Sequence, residues 1–322
     1  MRPRVSVVVS THNRHKDCNE LLESLARQTV KPYEVVLIDD ASEPPYRPRT
    51  GGLRVKFFRS DQELGVGLAR LLGSLMATGD VVAFIDDDAI APENWVERIQ
   101  KGYKHGFHIW GGPALPIYLA KRPRWWDERV LGIYCGVFNR ILICCNYVVR
   151  REVFELIGSF KPYLGRFRRA LISNEEAELT LRAVQRGLKI GYDHGLVVYH
   201  KVRHHEMRVP RLLKRAWDQG LSTYLTTGLN LRLVSLGRGL SVKKFAYGPQ
   251  GPIKLSARMI RAVLLLTTLI SYLAHALVDR LGLLPKLMSK RFAPVGLGLP
   301  EQGEESGAVK PEEEAGHVGE EG

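Results

Sequence analysis

Several features that would direct the reading elsewhere are missing from this sequence. Four cysteines in 322 residues, Cys18, Cys135, Cys144 and Cys145, show no paired framework spacing and no C-x-x-C motif. Reduced, buried thiols in a cytosolic compartment are therefore expected. Arg2 and Arg4 precede an apolar run over residues 5–9 that is far too short for a secretory leader, so the expected location is the cytoplasm. No internal repeat of roughly 20–50 residues and no H-E-x-x-H zinc motif occurs. Gly65 and Gly67 lack the third glycine and the preceding βα turn of a dinucleotide fingerprint, which excludes that reading.

What is present is ordinary globular composition, 45% apolar and 25% charged, with an uneven charge. Residues 301–322 hold eight Glu and one Lys, so the overall +13 divides into −7 there and +20 in residues 1–300. Such a body favours a polyanionic partner: nucleic acid, an anionic membrane surface or a phosphorylated substrate.

The pattern centres on residues 81–88, where Val81-Val82-Ala83-Phe84-Ile85 runs into Asp86-Asp87-Asp88. The apolar run reads as a buried strand, and alternation along it points Asp86 and Asp88 the same way and Asp87 elsewhere. Two such carboxylates make half a site for Mg²⁺ or Mn²⁺; a solvated turn is the other reading. Upstream, residues 5–9 read as a strand, 17–28 as a helix with Leu21, Leu22 and Leu25 on one face, and 35–38 as a second strand ending in Asp39-Asp40. A third strand is expected at 55–58 and a helix from Gly65 to about Ala77. Apolar strands alternating with helices indicate an α/β fold, with a mostly parallel sheet that gathers ligands at the strands' carboxyl ends.

Ser10-Thr11-His12-Asn13-Arg14, Asp39-Asp40-Ala41-Ser42, the helix from Gly65 and Phe84-Ile85-Asp86-Asp87-Asp88 together resemble the nucleotide-sugar domain of family 2 glycosyltransferases. The resemblance covers about residues 4–205. It implies a GT-A fold, a nucleoside-diphosphate sugar donor, a Mn²⁺ or Mg²⁺ cofactor and mostly inverting transfer. By the family's pattern Asp40 holds the base with Asp39 supporting the turn, and Ser10 and Arg14 lie near the nucleotide. Asp86 contacts metal or ribose, and Asp88 binds the metal. A turn role remains the other reading of Asp40.

Farther on, Asn174-Glu175-Glu176 opens a helix that Gly187 ends. The family has an acidic pair here, usually Glu-Asp, whose second member is the general base. The resemblance makes Glu176 that base, on a side chain one methylene longer. Three Glu that only charge a first helical turn are the plainer reading. His200, ending a strand over residues 196–200, matches a histidine that completes the metal shell or touches the diphosphate. His204 and His205 read as surface residues, with Lys201 and Arg203 adding local positive charge. Trp125-Trp126 suits either stacking on a sugar or lipid, or packing.

Beyond Pro210 a basic amphipathic helix is expected over residues 211–224. An uncharged stretch over residues 262–278 follows, near the lower limit of a membrane span. The expected organisation is a catalytic domain at 1–205, a basic helical, membrane-associated region at 206–295 and a disordered acidic tail at 296–322. The expected function is metal-dependent sugar transfer to an acceptor hydroxyl, on a glycan or lipid-linked acceptor, at the cytoplasmic face of a membrane. No nucleic-acid partner is expected beyond the nucleotide of the donor. The competing readings are a non-catalytic nucleic-acid-binding protein and a membrane adaptor that retains the fold.

Overall fold

A computed structural model describes residues 2–137, 141–228, 253–286 and 288. The tail expected to be disordered, residues 296–322, lies outside the described residues.

Strands β1 (Val5–Thr11), β2 (Glu34–Asp40), β3 (Val55–Ser60) and β4 (Val81–Phe84) pair in parallel in the order β3-β2-β1-β4. Helices α1 (His15–Ala26) and α2 (Val66–Met76) make two of the crossovers. After the short strand β5 (Ala89–Ile90) and helix α3 (Trp95–Lys104), the chain adds β6 (Ile109–Gly111) and β7 (Ala114–Tyr118). Helix α4 (Glu128–Leu131), strand β8 (Tyr147–Arg150), helices α5 (Arg151–Ile157) and α6 (Glu175–Gln185), and strands β9 (Ile190–Tyr192) and β10 (Val198–Val202) follow. β8 runs antiparallel between β4 and β6, and β9 closes the edge parallel to β6. The result is a seven-stranded mixed, mostly parallel sheet, with a second sheet ordered β5-β10-β7.

Two apolar layers form because adjacent strand residues face opposite ways. Val7, Val9, Leu37 and Ala83 pack with Leu21 and Leu22 of α1 and Val96 and Ile99 of α3. Val8, Val36, Ile38 and Phe84 pack on the other face with Ala69 of α2 and Leu179 and Ala183 of α6. At Gly67 in α2 a Cβ would stand 1.8 Å from the Leu164 carbonyl oxygen. Glycine thus lets α2 approach the 164–167 loop closely.

The elements differ from expectation in two places that matter for chemistry. β4 ends at Phe84, before the Asp run, because the Asp86 carbonyl accepts from Ala89 N at 3.0 Å and closes a turn. His200 is the middle residue of β10, because β7 continues the pairing through Val202.

Helix α7 (Val209–Thr227) and helix α8 (Leu255–Arg280) pack against each other. Thr268 Oγ1 donates to the Ala216 carbonyl at 3.0 Å and Ser271 Oγ to the Trp217 carbonyl at 2.6 Å. Trp126, Leu131, Leu212 and Leu264 join the pair to α4, and Trp126 Nε1 donates to Tyr118 Oη at 2.9 Å, so that indole packs inside. At 26 residues α8 is long and apolar enough to cross a membrane. Its inner face, including Leu264, Tyr272 and Ala276, is buried, whereas Met259, Leu266, Ile270, Leu273 and Leu277 are exposed.

Candidate functional site

The site forms where the parallel strands end. The turn after β4 aims Asp86 and Asp88 at the His200 imidazole, with Nε2 at 3.8 Å and 3.2 Å from a carboxylate oxygen of each. Asp87 turns away and accepts from Thr11 Oγ1 at 2.8 Å. The expected split of the three acids holds, although a turn produces it. Arg14 Nη1 donates to Asp88 Oδ2 at 2.6 Å and to Asp87 Oδ1 at 3.0 Å. Arg203 Nη1 reaches the same Asp88 oxygen at 2.9 Å. Two guanidiniums thus hold Oδ2, leaving Oδ1 buried beside His200 with no hydrogen bond of good geometry. Burial opposes the Asp88 charge, but His200 and Arg14 outweigh it and hold the carboxyl well below the usual range. Burial likewise works against a charged imidazole, and Asp88 outweighs it, so the His200 pKa is raised.

One oxygen from each of Asp86 and Asp88 and one nitrogen of His200 lie within 4.8 Å of one another. Two hard oxygens and an imidazole suit Mn²⁺ or Mg²⁺. The orphaned Asp88 Oδ1 is a ligand atom that a cation would satisfy, so these residues fit the ion.

Arg70, on the buried face of α2, joins this cluster to α6. Its Nη2 donates to Asp86 Oδ1 at 2.6 Å, and its Nη1 pairs with Glu175. A carboxylate oxygen of Glu176 lies within 4.8 Å of one on Glu175 and of Cys144 Sγ. Burial, and then the Glu175 charge, push the Glu176 carboxyl up to about 7. A carboxylate with that pKa is poised to accept a proton near neutrality.

On the other side of β1, Asp39 accepts from Ser42 N and Tyr46 N, each at 3.2 Å, and from Arg59 Nη1 at 2.7 Å, which pins the loop after β2. Asp40 accepts from Leu64 N at 2.5 Å and Gly65 N at 3.0 Å, tying the start of α2 to the strand end. Burial raises its pKa in spite of those bonds. Ser10 lies on β1 opposite Ile38, at the same end of the sheet. Arg14, expected beside the nucleotide, sits on Asp87 and Asp88.

Lys201 differs from expectation. It is buried and paired with Asp17 at 2.7 Å and with Glu20, so its charge is neutralised within the fold. His204 and His205 are exposed, as expected. All four cysteines are free and buried. Arg70 was not singled out in the sequence, where it stands in a helix among Leu, Ala and Gly. Its partners lie 16 and 105 residues away, and only the folded chain unites them.

Comparison with known proteins identifies the family. The Glycosyl transferase family 2 model matches residues 6–169, about half of the chain. The glucosyl-dolichyl phosphate glucuronosyltransferase of Haloferax volcanii is 29% identical over 238 residues, covering 68% of this chain and 76% of that protein. The uncharacterized glycosyltransferase YwdF of Bacillus subtilis is 33% identical over 165 residues, 49% of this chain and 62% of that protein. Among solved structures, the mannosyltransferase PcManGT from Pyrobaculum calidifontis, in complex with GDP-Man and Mn²⁺, superposes with a TM-score of 0.51 at 18% identity. That alignment covers 92% of this chain and 80% of the other, and shows a shared fold. The matched span carries every strand from β1 to β8, the Asp39-Asp40 pair and the Asp86–Asp88 turn, and the chain belongs to Glycosyl transferase family 2, as a nucleotide-sugar glycosyltransferase of GT-A fold.

Proposed function

We propose that this enzyme transfers a sugar, with inversion, from a nucleoside-diphosphate sugar to a hydroxyl of a lipid-linked acceptor at the cytoplasmic face of a membrane. The observation that carries the reading is Arg70. One guanidinium holds Asp86 of the donor-side cluster and Glu175 beside Glu176, so the donor-side cluster and the base are tied to each other.

Asp86, Asp88 and His200 would hold Mn²⁺ or Mg²⁺, which would supply positive charge against the departing diphosphate. Arg14 and Arg203 fix Asp88 so that its Oδ1 faces His200. Asp39 and Ser10 shape the nucleotide end. Asp40 keeps lone pairs beyond those used by Leu64 and Gly65, with which it accepts an N–H of the base. Glu176 takes the acceptor proton as the hydroxyl attacks the anomeric carbon from the face opposite the diphosphate. A lipid-linked acceptor is supported by the exposed apolar side of α8 and by the dolichyl phosphate-linked substrate in the name of the Haloferax relative.

The test is the product. Nuclear magnetic resonance of the new glycosidic bond should show the configuration opposite to that of the donor. Retained configuration would remove Glu176 as a direct base. Nucleotide binding by the wild type should also require Mn²⁺ or Mg²⁺ and be lost on chelation or in Asp88→Ala.

A further inference from the structure

Three arginines lie on α7 and on the loop packed against it, where Gln219 Nε2 of α7 donates to Asn174 Oδ1 at the start of α6 at 2.8 Å. Arg166 lies in the loop that packs on the start of α2, where its carbonyl accepts from Val66 N at 2.9 Å. Arg211 and Arg215 are four residues apart on α7 and therefore share a helix face. Arg215 Nη1 donates to the Leu171 carbonyl at 2.9 Å. Among the described residues no ion pair reaches any of the three.

Of the acids around them, Glu175, Glu206 and Asp218 are engaged elsewhere, and Glu176 is the proposed base. Glu175 pairs with Arg70, Glu206 accepts from Arg203 N at 2.8 Å, and Asp218 pairs with Lys214 at 2.7 Å and accepts from Leu171 N at 2.8 Å. Burial and then the charge of Arg166 depress the Arg215 guanidinium to about 10, and the same two causes lower Arg211. A guanidinium in water is effectively always charged, so this direction fits like charges held near one another in part-buried positions. An anion placed among them would relieve that repulsion and accept charge-assisted hydrogen bonds.

Position says which anion. The donor side of the cleft already has Arg14, Arg203 and the Asp88–His200 cluster. The three arginines stand instead on α7 and the loop facing it. Arg215 is near enough to Glu175 and Glu176 to feel both charges. The basic surface continues outward into a cavity of about 340 Å³ lined by Phe167, Arg168, Arg169, Ala170 and Lys214. Farther round α7 lies α8, whose outer face is a stripe of exposed Leu, Ile and Met. An acceptor with a sugar at one end, a phosphate in the middle and a hydrocarbon at the other would present these parts to the base, the arginines and the apolar helix, respectively.

We propose that Arg166, Arg211 and Arg215 form the acceptor's phosphate subsite, holding the phosphate that joins its sugar to the lipid while the hydroxyl is presented to Glu176. The assignment rests on the lipid-linked acceptor reading and adds the residues that select it. It predicts that uncharged glycans are poor acceptors.

The test is equilibrium binding by the full chain in detergent, with dodecyl phosphate, inorganic phosphate, and UDP or GDP with Mn²⁺ as separate probes. Arg166→Gln and Arg211→Gln should each weaken dodecyl phosphate binding by about tenfold or more and leave nucleotide binding within about twofold. Arg211→Lys, which keeps the charge without the planar fork, should fall between wild type and Arg211→Gln. Inorganic phosphate should bind more weakly than dodecyl phosphate and be lost in the same variants. Unchanged thermal unfolding of the variants guards against misfolding. Dodecyl phosphate binding that survives both Gln variants overturns the subsite. Parallel loss of nucleotide binding also overturns it, by assigning these arginines to the donor diphosphate. Neither readout uses turnover, so failure to find a lipid-linked acceptor would count against the functional reading and leave this binding result distinct.

Discussion

Arg70 is 6% exposed and sits between Asp86 and Glu175, whose side chain is also buried. Removing one member of such a pair strands a charge out of water, which costs about 3–5 kcal/mol. Arg70→Gln should therefore lower stability by about that amount in denaturant unfolding, unlike the change of about 1 kcal/mol or less typical of exposed pairs. The same substitution reports on Glu176, the proposed base. Arg70 favours the ionised form of Glu176, against burial and the Glu175 charge, which together place its pKa near 7. A base must be ionised to act, so the wild-type rate should rise with pH through about 7. Without Arg70 the carboxylate is harder to ionise, and that limb should move to higher pH. A limb that stays in place in Arg70→Gln would separate Glu176 from the proton transfer.

At the scale of elements, much of the fold was legible because strand and helix signals are local. The apolar runs around Val7, Val36 and Val82 became buried parallel strands, and α2 and α6 start within a residue of the expected positions. The limits of β10 were not legible, since pairing with β7 is what carries the strand past His200 to Val202. Nor was the environment of Lys201, whose partners Asp17 and Glu20 lie on α1, far away in the chain. Asp86 and Asp88 were legible as a pair because short spacing survives the exchange of a strand end for a turn. The close approach of α2 to the 164–167 loop depends on a missing side chain, and it suggests a test. Gly67→Ala would favour an isolated helix by about 1 kcal/mol, but its Cβ would stand 1.8 Å from the Leu164 carbonyl oxygen. Overpacking should win, with a net loss of about 1–3 kcal/mol in unfolding experiments. A stabilised variant would mean that the loop carrying Arg166 moves away from α2 at little cost.

The molecule as a whole combines a basic charge with an exposed apolar helix face. Residues 1–300 carry +20, and α8 exposes Leu266 and Leu273 at 57% and 55% on its outer side. Family membership accounts for the α/β domain, and the remaining basic charge and apolar helix suit an anionic membrane surface better than a nucleic acid. The chain should float with vesicles containing phosphatidylserine. The double variant Leu266→Glu/Leu273→Glu should release it, and added salt alone should only weaken the association. Complete release by salt would reduce the contact to surface charge and leave α8 without a role in it.

In the proposed mechanism Arg70 joins donor activation and acceptor deprotonation in one site. The decisive measurement is release of UDP or GDP from a panel of nucleotide sugars in the presence of membrane lipid extract. It is made with and without Mn²⁺, on the wild type, Asp88→Ala and Glu176→Gln. Metal-dependent release from one donor is expected, abolished in Asp88→Ala and reduced about 10²–10⁴-fold in Glu176→Gln, which should still bind nucleotide. Full-rate release by Glu176→Gln, or release by Asp88→Ala that is indifferent to metal, would contradict that mechanism.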